Sequence, residues 1–392
     1  LDEKRGFAAT EYAAHPCGEA RSGRWAPFSI VGFSLRRHAL EVMAFFTSSV
    51  GQPIVMGVPG PELTDGLRSL IRRVQPGGFI LFGRNLATPR QVFELCRELA
   101  ELCEVPPILT IDQEGGRVSR LKLIGEEPPS GYQLCLAGRE DWCEEHGVLT
   151  GRLLRIFGFN LNLAPVVDFS IDETRDNSLQ GRCLGRDVDE VRRNAGAFLR
   201  GMESVGVHGT AKHFPGYTFC ELDPHGELPR ITRTRAEMER EELRSFRNFR
   251  HAAAFMVGHG TFPALHDDGL PASLSKAVVT GLLRESLDYH GLVMTDDLEM
   301  GAIANHYPSE VATRLAIEAG HDILLYCHNP ACVEIAYGVL AEMPAAQLAP
   351  ALQRIAAFKR GLPPMPAAFD EAGFTAVNTA IRQLREKVQR AG

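Results

Sequence analysis

The sequence predicts an α/β protein with a single (β/α)8 TIM-type barrel. Three observations predict it. From Pro53 onward, short apolar runs alternate with amphipathic helical stretches, the signature of parallel βαβ units. Roughly eight such units follow one another in one domain, which favours a closed barrel over an open doubly wound sheet. Polar residues gather just after the apolar runs, and in a barrel those strand ends share one face. Periodicity alone does not show closure, so the open sheet is the competing architecture. No Gly-x-Gly-x-x-Gly follows the first run, and a dinucleotide site has no support.

Ile54 to Val58 reads as the first strand. Leu63, Leu67, Leu70, Ile71 and Val74 then keep a helical period, and Gly77-Gly78 is expected to stop that helix. Phe79 to Phe82 is the second strand. Thr88-Pro89 with Gln91 is a helix start, combining cap, first-turn proline and capping-box partner. Val92, Cys96, Leu99 and Cys103 form its buried side. Pro107 to Ile111 is the third strand and Leu161 to Val167 the fourth. Asp187 caps the next helix, Glu190 closes the box, and Gly206 ends it. Val207 to Ala211 is strand five, Phe255 to Val257 strand six, Leu292 to Thr295 strand seven and Asp322 to Tyr326 strand eight. After about Pro363 come a loop and a final helix with Ala376, Ile381, Leu384 and Val388 on one side.

The 392 residues and 44% hydrophobic content suit one large domain with a sizeable core. Residues 1–42 have no clean period and read as an N-terminal extension outside the core. Residues 43–392 are the barrel and its helical tail. A net charge of −7 with dispersed basic residues gives no support to nucleic-acid binding. No apolar run nears the ~20 residues of a membrane span. The nine cysteines include no CxxC pair, and no signal peptide precedes them. We read them as reduced thiols in a cytoplasmic protein, not a disulfide frame or a zinc site.

Chemistry concentrates at the strand ends: Asp112, Asp168, Lys212 with His213, His259, and Asp296 with Asp297. Gly115-Gly116 lets the backbone turn sharply, so that Arg120 can fold back over the mouth. Asn177 to Arg182 is a polar insert long enough to reach it. The loop after Lys212-His213-Phe214-Pro215-Gly216 carries Asp223-Pro224-His225, in which the Asp can orient the imidazole and stabilise its protonated form. Asp296 and Asp297 are neighbours at a strand end and point opposite ways. One can face the mouth while the other supports a neighbouring loop. A carboxylate at the mouth can bind metal, act as a base or attack an anomeric carbon.

Four motifs occur in order: Asp112-Gln113-Glu114-Gly115-Gly116-Arg117-Val118, Asn162 to Asp168, Lys212 to Gly216 with Asp223-x-His225, and Thr295 to Met300. Through them the chain resembles glycoside hydrolase family 3, most closely its single-domain bacterial β-N-acetylhexosaminidases. The resemblance covers roughly Pro53 to Leu340. It implies a barrel, no cofactor, no metal, and retention of anomeric configuration. It places the nucleophile on Asp296, the general acid/base on the Asp223–His225 pair, and sugar-binding positions on Asp112, Arg120, Arg182, Lys212 and His213. The implied substrate is terminal β-linked GlcNAc, from peptidoglycan-derived muropeptides recycled in the cytoplasm, with neither nucleic acid nor membrane as partner.

The resemblance has one departure. The family continues Lys-His-Phe-Pro-Gly with His-Gly-Asp, whereas this chain has Tyr217, Thr218 and Phe219. The two aromatics either meet the aglycone or pack on the barrel. Alternatives to the leading reading are a family 3 β-glucosidase, a GlcNAc phosphorylase, a metal-dependent hydrolase using His213, His259 and Asp296, and a sugar-binding barrel without turnover.

Overall fold

The structure, a computed structural model, describes residues 50–174, 177–220, 223–266 and 268–391. The expected extension at residues 1–42 lies outside them. Eight parallel strands close into a barrel: β1 (Ile54–Gly57), β2 (Gly78–Leu81), β3 (Ile108–Ile111), β4 (Leu161–Asn162), β5 (His208–Phe214), β6 (Ala254–Val257), β7 (Leu292–Asp297) and β8 (Ile323–Tyr326). Each pairs with its sequence neighbours, and β1 closes the ring by pairing Ile54 with Leu324 of β8.

Period-2 alternation builds the two layers. Val55, Ile80, Ile108, Leu161, Met256, Met294 and Leu325 fill the barrel interior. Their neighbours Ile54, Met56, Phe79, Leu81, Leu109 and Ile111 face outward into the helical layer. Because the interior is packed with apolar side chains, polar chemistry is confined to the rims.

The helices begin where their caps dictate. Thr64 accepts the N–H of Leu67 to start α1 (Asp65–Val74), and Thr88 caps α2 (Pro89–Glu101) with Pro89 in its first turn. Helices α3 (Gly131–Ala137) and α4 (Glu140–Phe157) follow β3 and a short antiparallel hairpin, Gln113–Gly115 with Val118–Ser119. Asp187 caps α5 (Val188–Glu203) through the N–H groups of Asp189 and Glu190. The segment between β5 and β6 holds α6 (Arg235–Arg240) and α7 (Glu242–Asn248). Beyond β7 come α8 (Gly301–Ala304) and α9 (Ser309–Ala319), and beyond β8 come α10 (Pro330–Glu342), α11 (Ala345–Lys359) and α12 (Glu371–Ala391).

Several expectations need correction. Strand five runs on to Phe214, so that Lys212 and His213 lie within it; Glu190 accepts the N–H of Arg186 and does not close the Asp187 box; and α5 ends at Glu203, before Gly206. Helix α1 ends at Gln75, which takes the left-handed conformation (φ 49°), before Gly77-Gly78 is reached. The fourth strand is only Leu161–Asn162, because Pro165 has no N–H for the ladder; the chain rejoins β5 through one bridge, Val166 to Lys212. On α12 the buried side is Val377, Ile381, Leu384 and Val388, and Ala376 is exposed.

Candidate active site

A cavity of about 290 Å³ opens at the C-terminal ends of the strands. Eight of the acidic and basic residues singled out at the mouth line it: Asp112, Arg120, Arg182, Lys212, His213, His225, Asp296 and Asp297. Asp223 does not line it; it stands behind His225.

Asp112 directly follows β3. Its Oδ1 accepts a hydrogen bond from Lys212 Nζ at 2.8 Å, and its Oδ2 one from Arg120 Nη2 at 3.3 Å. Arg120 reaches it because the hairpin turns at Gly115 (φ 118°) and Gly116 (φ 53°), angles that favour glycine. Burial pushes the Asp112 carboxyl up, but Lys212 and Arg120 outweigh burial and hold it below the usual range.

Glu114, which sequence reasoning left inside its motif without a role, is a pivot of the site. It takes a two-pronged contact from Arg182, Nε to Oε2 at 2.8 Å and Nη2 to Oε1 at 2.7 Å. Lys212 Nζ stands 2.7 Å from the same Oε1. Burial opposes its charge, yet Arg182 and Lys212 hold this carboxyl far below its ordinary value. The carboxylates of Asp112 and Glu114 and the cations Lys212, Arg182 and Arg120 thus form one linked ion cluster. A carboxylate 68 positions from its arginine leaves no local pattern in the sequence.

His213 is oriented from below. Asp168 Oδ2 accepts both its backbone N–H and its Nδ1–H, each at 3.0 Å. The ring's Nε2 is then the acceptor, 3.4 Å from Arg182 Nη2. The other oxygen of Asp168 accepts the N–H of Tyr217 at 2.6 Å.

The divergent segment packs on the barrel. Tyr217 is 2% exposed, stacks on His213 with ring centres 5.1 Å apart, and accepts the N–H of His259 on its hydroxyl. Thr218 Oγ1 accepts the N–H of Phe169 at 3.1 Å. Phe219 meets Phe169 edge-on and lies 3.7 Å beneath the Arg233 guanidinium.

The two aspartates at the end of β7 divide their tasks. Asp296 faces the cavity, and its Oδ1 accepts the N–H of Asp297 at 2.9 Å. Burial works against its charge, but nearby His259 and His213, together with that N–H, hold its carboxyl below the ordinary range. Asp297 shapes the next loop: its Oδ1 accepts the N–H groups of Glu299 (3.1 Å) and Cys327 (3.3 Å). His259 spends both ring nitrogens internally, on Ser273 Oγ (2.7 Å) and the Asp297 carbonyl (2.9 Å). With both ring nitrogens of His259 bonded within the protein, the trio His213, His259 and Asp296 is not arranged as a metal-ligand set, and no cluster among the described residues is.

His225 and Asp223 sit on the outer wall, with side chains 70% and 56% exposed. His225 Nδ1 lies 2.6 Å from Asp223 Oδ1, leaving Nε2 for exchange with the cavity. Burial raises the Asp223 carboxyl, and the backbone and ring N–H groups of His225 more than reverse this.

Strand β1 contributes no side chain to this face. The gap is covered by Phe82 and His328, stacked at 5.5 Å. Arg84 holds His328 Nδ1 (3.2 Å), and Asp297 Oδ2 lies 3.3 Å from Nε2. These residues were not foreseen, because they come from loops flanking a strand that is itself silent.

Residues 47–357 match the glycosyl hydrolase family 3 N terminal domain. The chain is 32% identical over 296 residues to the β-hexosaminidase of Pseudomonas aeruginosa, covering 74% of this chain and 86% of that one. It is 34% identical over 289 residues to that of Vibrio cholerae, covering 72% and 85%. A glycoside hydrolase family 3 β-N-acetylglucosaminidase from Paenibacillus sp. superposes with a TM-score of 0.79 at 33% identity, over 86% of this chain and 68% of that one. A closed barrel, a polar cavity at its strand ends and these likenesses together establish that the chain belongs to glycosyl hydrolase family 3 and groups with its β-hexosaminidases.

Proposed function

We propose that the protein is a retaining exo-β-N-acetylglucosaminidase that works through a covalent glycosyl-enzyme on Asp296. The observation that carries this reading is the pairing of two groups on one cavity: Asp296, whose carboxyl is held in its charged form, and His225, whose free nitrogen is backed by Asp223. In the first step Asp296 attacks the anomeric carbon, the glycosidic bond breaks, and His225 Nε2–H gives its proton to the leaving oxygen. In the second, neutral His225 takes a proton from water, water attacks the same carbon, and Asp296 is released. An imidazole suits both steps because its ordinary pKa lies close to neutrality.

Asp112, Arg120, Arg182, Lys212 and His213 hold the sugar in this reading. Their mutual bonds fix them before substrate arrives, so little ordering is left to binding. The named activity of the Paenibacillus β-N-acetylglucosaminidase supports GlcNAc as the sugar, and the Pseudomonas and Vibrio relatives, named β-hexosaminidases, are compatible with it. We extend the proposal to terminal GlcNAc of peptidoglycan-derived muropeptides in the cytoplasm. Cys96, Cys103, Cys135, Cys143, Cys183, Cys327 and Cys332 are free thiols, which fits a reducing compartment.

The test compares an aryl β-GlcNAc glycoside with the matching β-glucoside, with and without added phosphate. Cleavage of the GlcNAc compound alone, independent of phosphate, is expected. Cleavage of neither, or turnover that needs phosphate, contradicts the proposal.

A further inference from the structure

We propose that Gly301 and Asn305 form a docking seat for the Asp223–His225 turn and act as positioning residues for the acid/base group. This rests on the reading of His225 given above. Three consecutive carbonyls of the turn are taken by one helical turn just past Asp296. The N–H of Gly301 donates to the carbonyl of His225 at 3.0 Å, and the N–H of Ala302 to that of Pro224 at 3.3 Å. Asn305 Nδ2 donates to the carbonyl of Gly226 at 3.1 Å.

The turn is internally braced and meets the seat as a unit. Gly226 and Glu227 donate their N–H groups to the Asp223 carbonyl at 3.1 and 3.2 Å, and the His225 N–H bonds Asp223 Oδ1 at 3.0 Å. The side chains of Asp223 and His225 are mostly exposed, so packing of the pair contributes little to its position. The backbone seat supplies what packing does not.

Residue 301 is restricted by space. Gly301 has no positive φ, but a Cβ there would lie 2.4 Å from the Gly226 carbonyl oxygen and 2.9 Å from that of His225. Both neighbours are backbone and cannot swing aside as a side chain can. Any other residue must push the turn outward, and His225 Nε2 moves with it. The seat begins five positions after Asp296, so one short segment carries the nucleophile and sets the height of its partner over the cavity.

The test uses aryl β-GlcNAc glycosides whose phenols span a wide range of acidity. Wild type, His225→Ala, Gly301→Ala, Asn305→Ala and the His225→Ala/Gly301→Ala double variant are compared by kcat/KM. Acid assistance is worth about 10²–10⁴-fold for a poor leaving group and little for a good one. Gly301→Ala is expected to lose about 10–100-fold on the poorest phenol and under about 3-fold on the best, and to add nothing to His225→Ala. Asn305→Ala, at the surface, is expected to lose about 3-fold on the poorest phenol alone; it carries the test if Gly301→Ala melts early. Losses that are uniform across the series, or additive in the double variant, overturn the seat. If His225→Ala itself shows uniform losses, the acid/base reading falls instead, and the two failures are told apart.

Discussion

Asp168 grips His213 twice, taking its backbone N–H and its ring Nδ1–H on a single oxygen, each at 3.0 Å. The carboxylate is wholly buried and does not touch the cavity. Its effect reaches the cavity through the imidazole, whose Nε2 it leaves as an acceptor. Asp168→Asn keeps the shape but offers one acceptor oxygen where three N–H groups need two. Hydrogen bonds to charged groups contribute about 1.5–3 kcal/mol, so kcat/KM is expected to fall roughly 10–100-fold. Steady-state kinetics beside a thermal melt check this, and unchanged kcat/KM contradicts it.

Glu114→Gln tests the buried ion cluster. Removing one member of such a pair costs about 3–5 kcal/mol, and this loss is expected in a denaturant melt at neutral pH. The sign with pH follows from the depressed carboxyl. Its contribution is complete above the unfolded carboxyl's pKa of about 4.3 and is lost as pH falls through the folded value, below the usual range. The gap between wild type and variant is therefore widest near neutrality and narrows below about pH 4.3. A gap that widens on acidification contradicts the assignment.

Tyr217→Phe separates packing from substrate contact. The ring stack on His213 survives, but the buried N–H of His259 loses its acceptor, which costs about 1–3 kcal/mol of stability. The ranking of aryl leaving groups is expected to stay as in wild type. A changed ranking places Tyr217 against the aglycone.

The sequence exposed whatever is local. Caps at Thr88 and Asp187, strand-end positions for Asp112, Lys212 and Asp296, and the Asp–x–His spacing are all short-range patterns. What it concealed is long-range or depends on a missing group. Glu114 meets Arg182 only once the hairpin and the 177–182 insert converge. His328 and Phe82 become neighbours only because β1, between their strands, offers nothing to the mouth. The proline that shortens β4 lies in plain sight, yet its apolar neighbours read as a longer strand. The role of Tyr217 turned on burial, which no spacing reveals.

The central proposal is a covalent bond from the sugar to Asp296. Its most direct test is the intact mass, then peptide mapping, of protein treated with an activated 5-fluoro-GlcNAc glycoside, which slows the second step. A mass increase of one fluorosugar on the peptide carrying Asp296, absent in Asp296→Asn, is the expected result. An adduct on another carboxylate, Asp297 first among them, or steady turnover with no adduct, would contradict it.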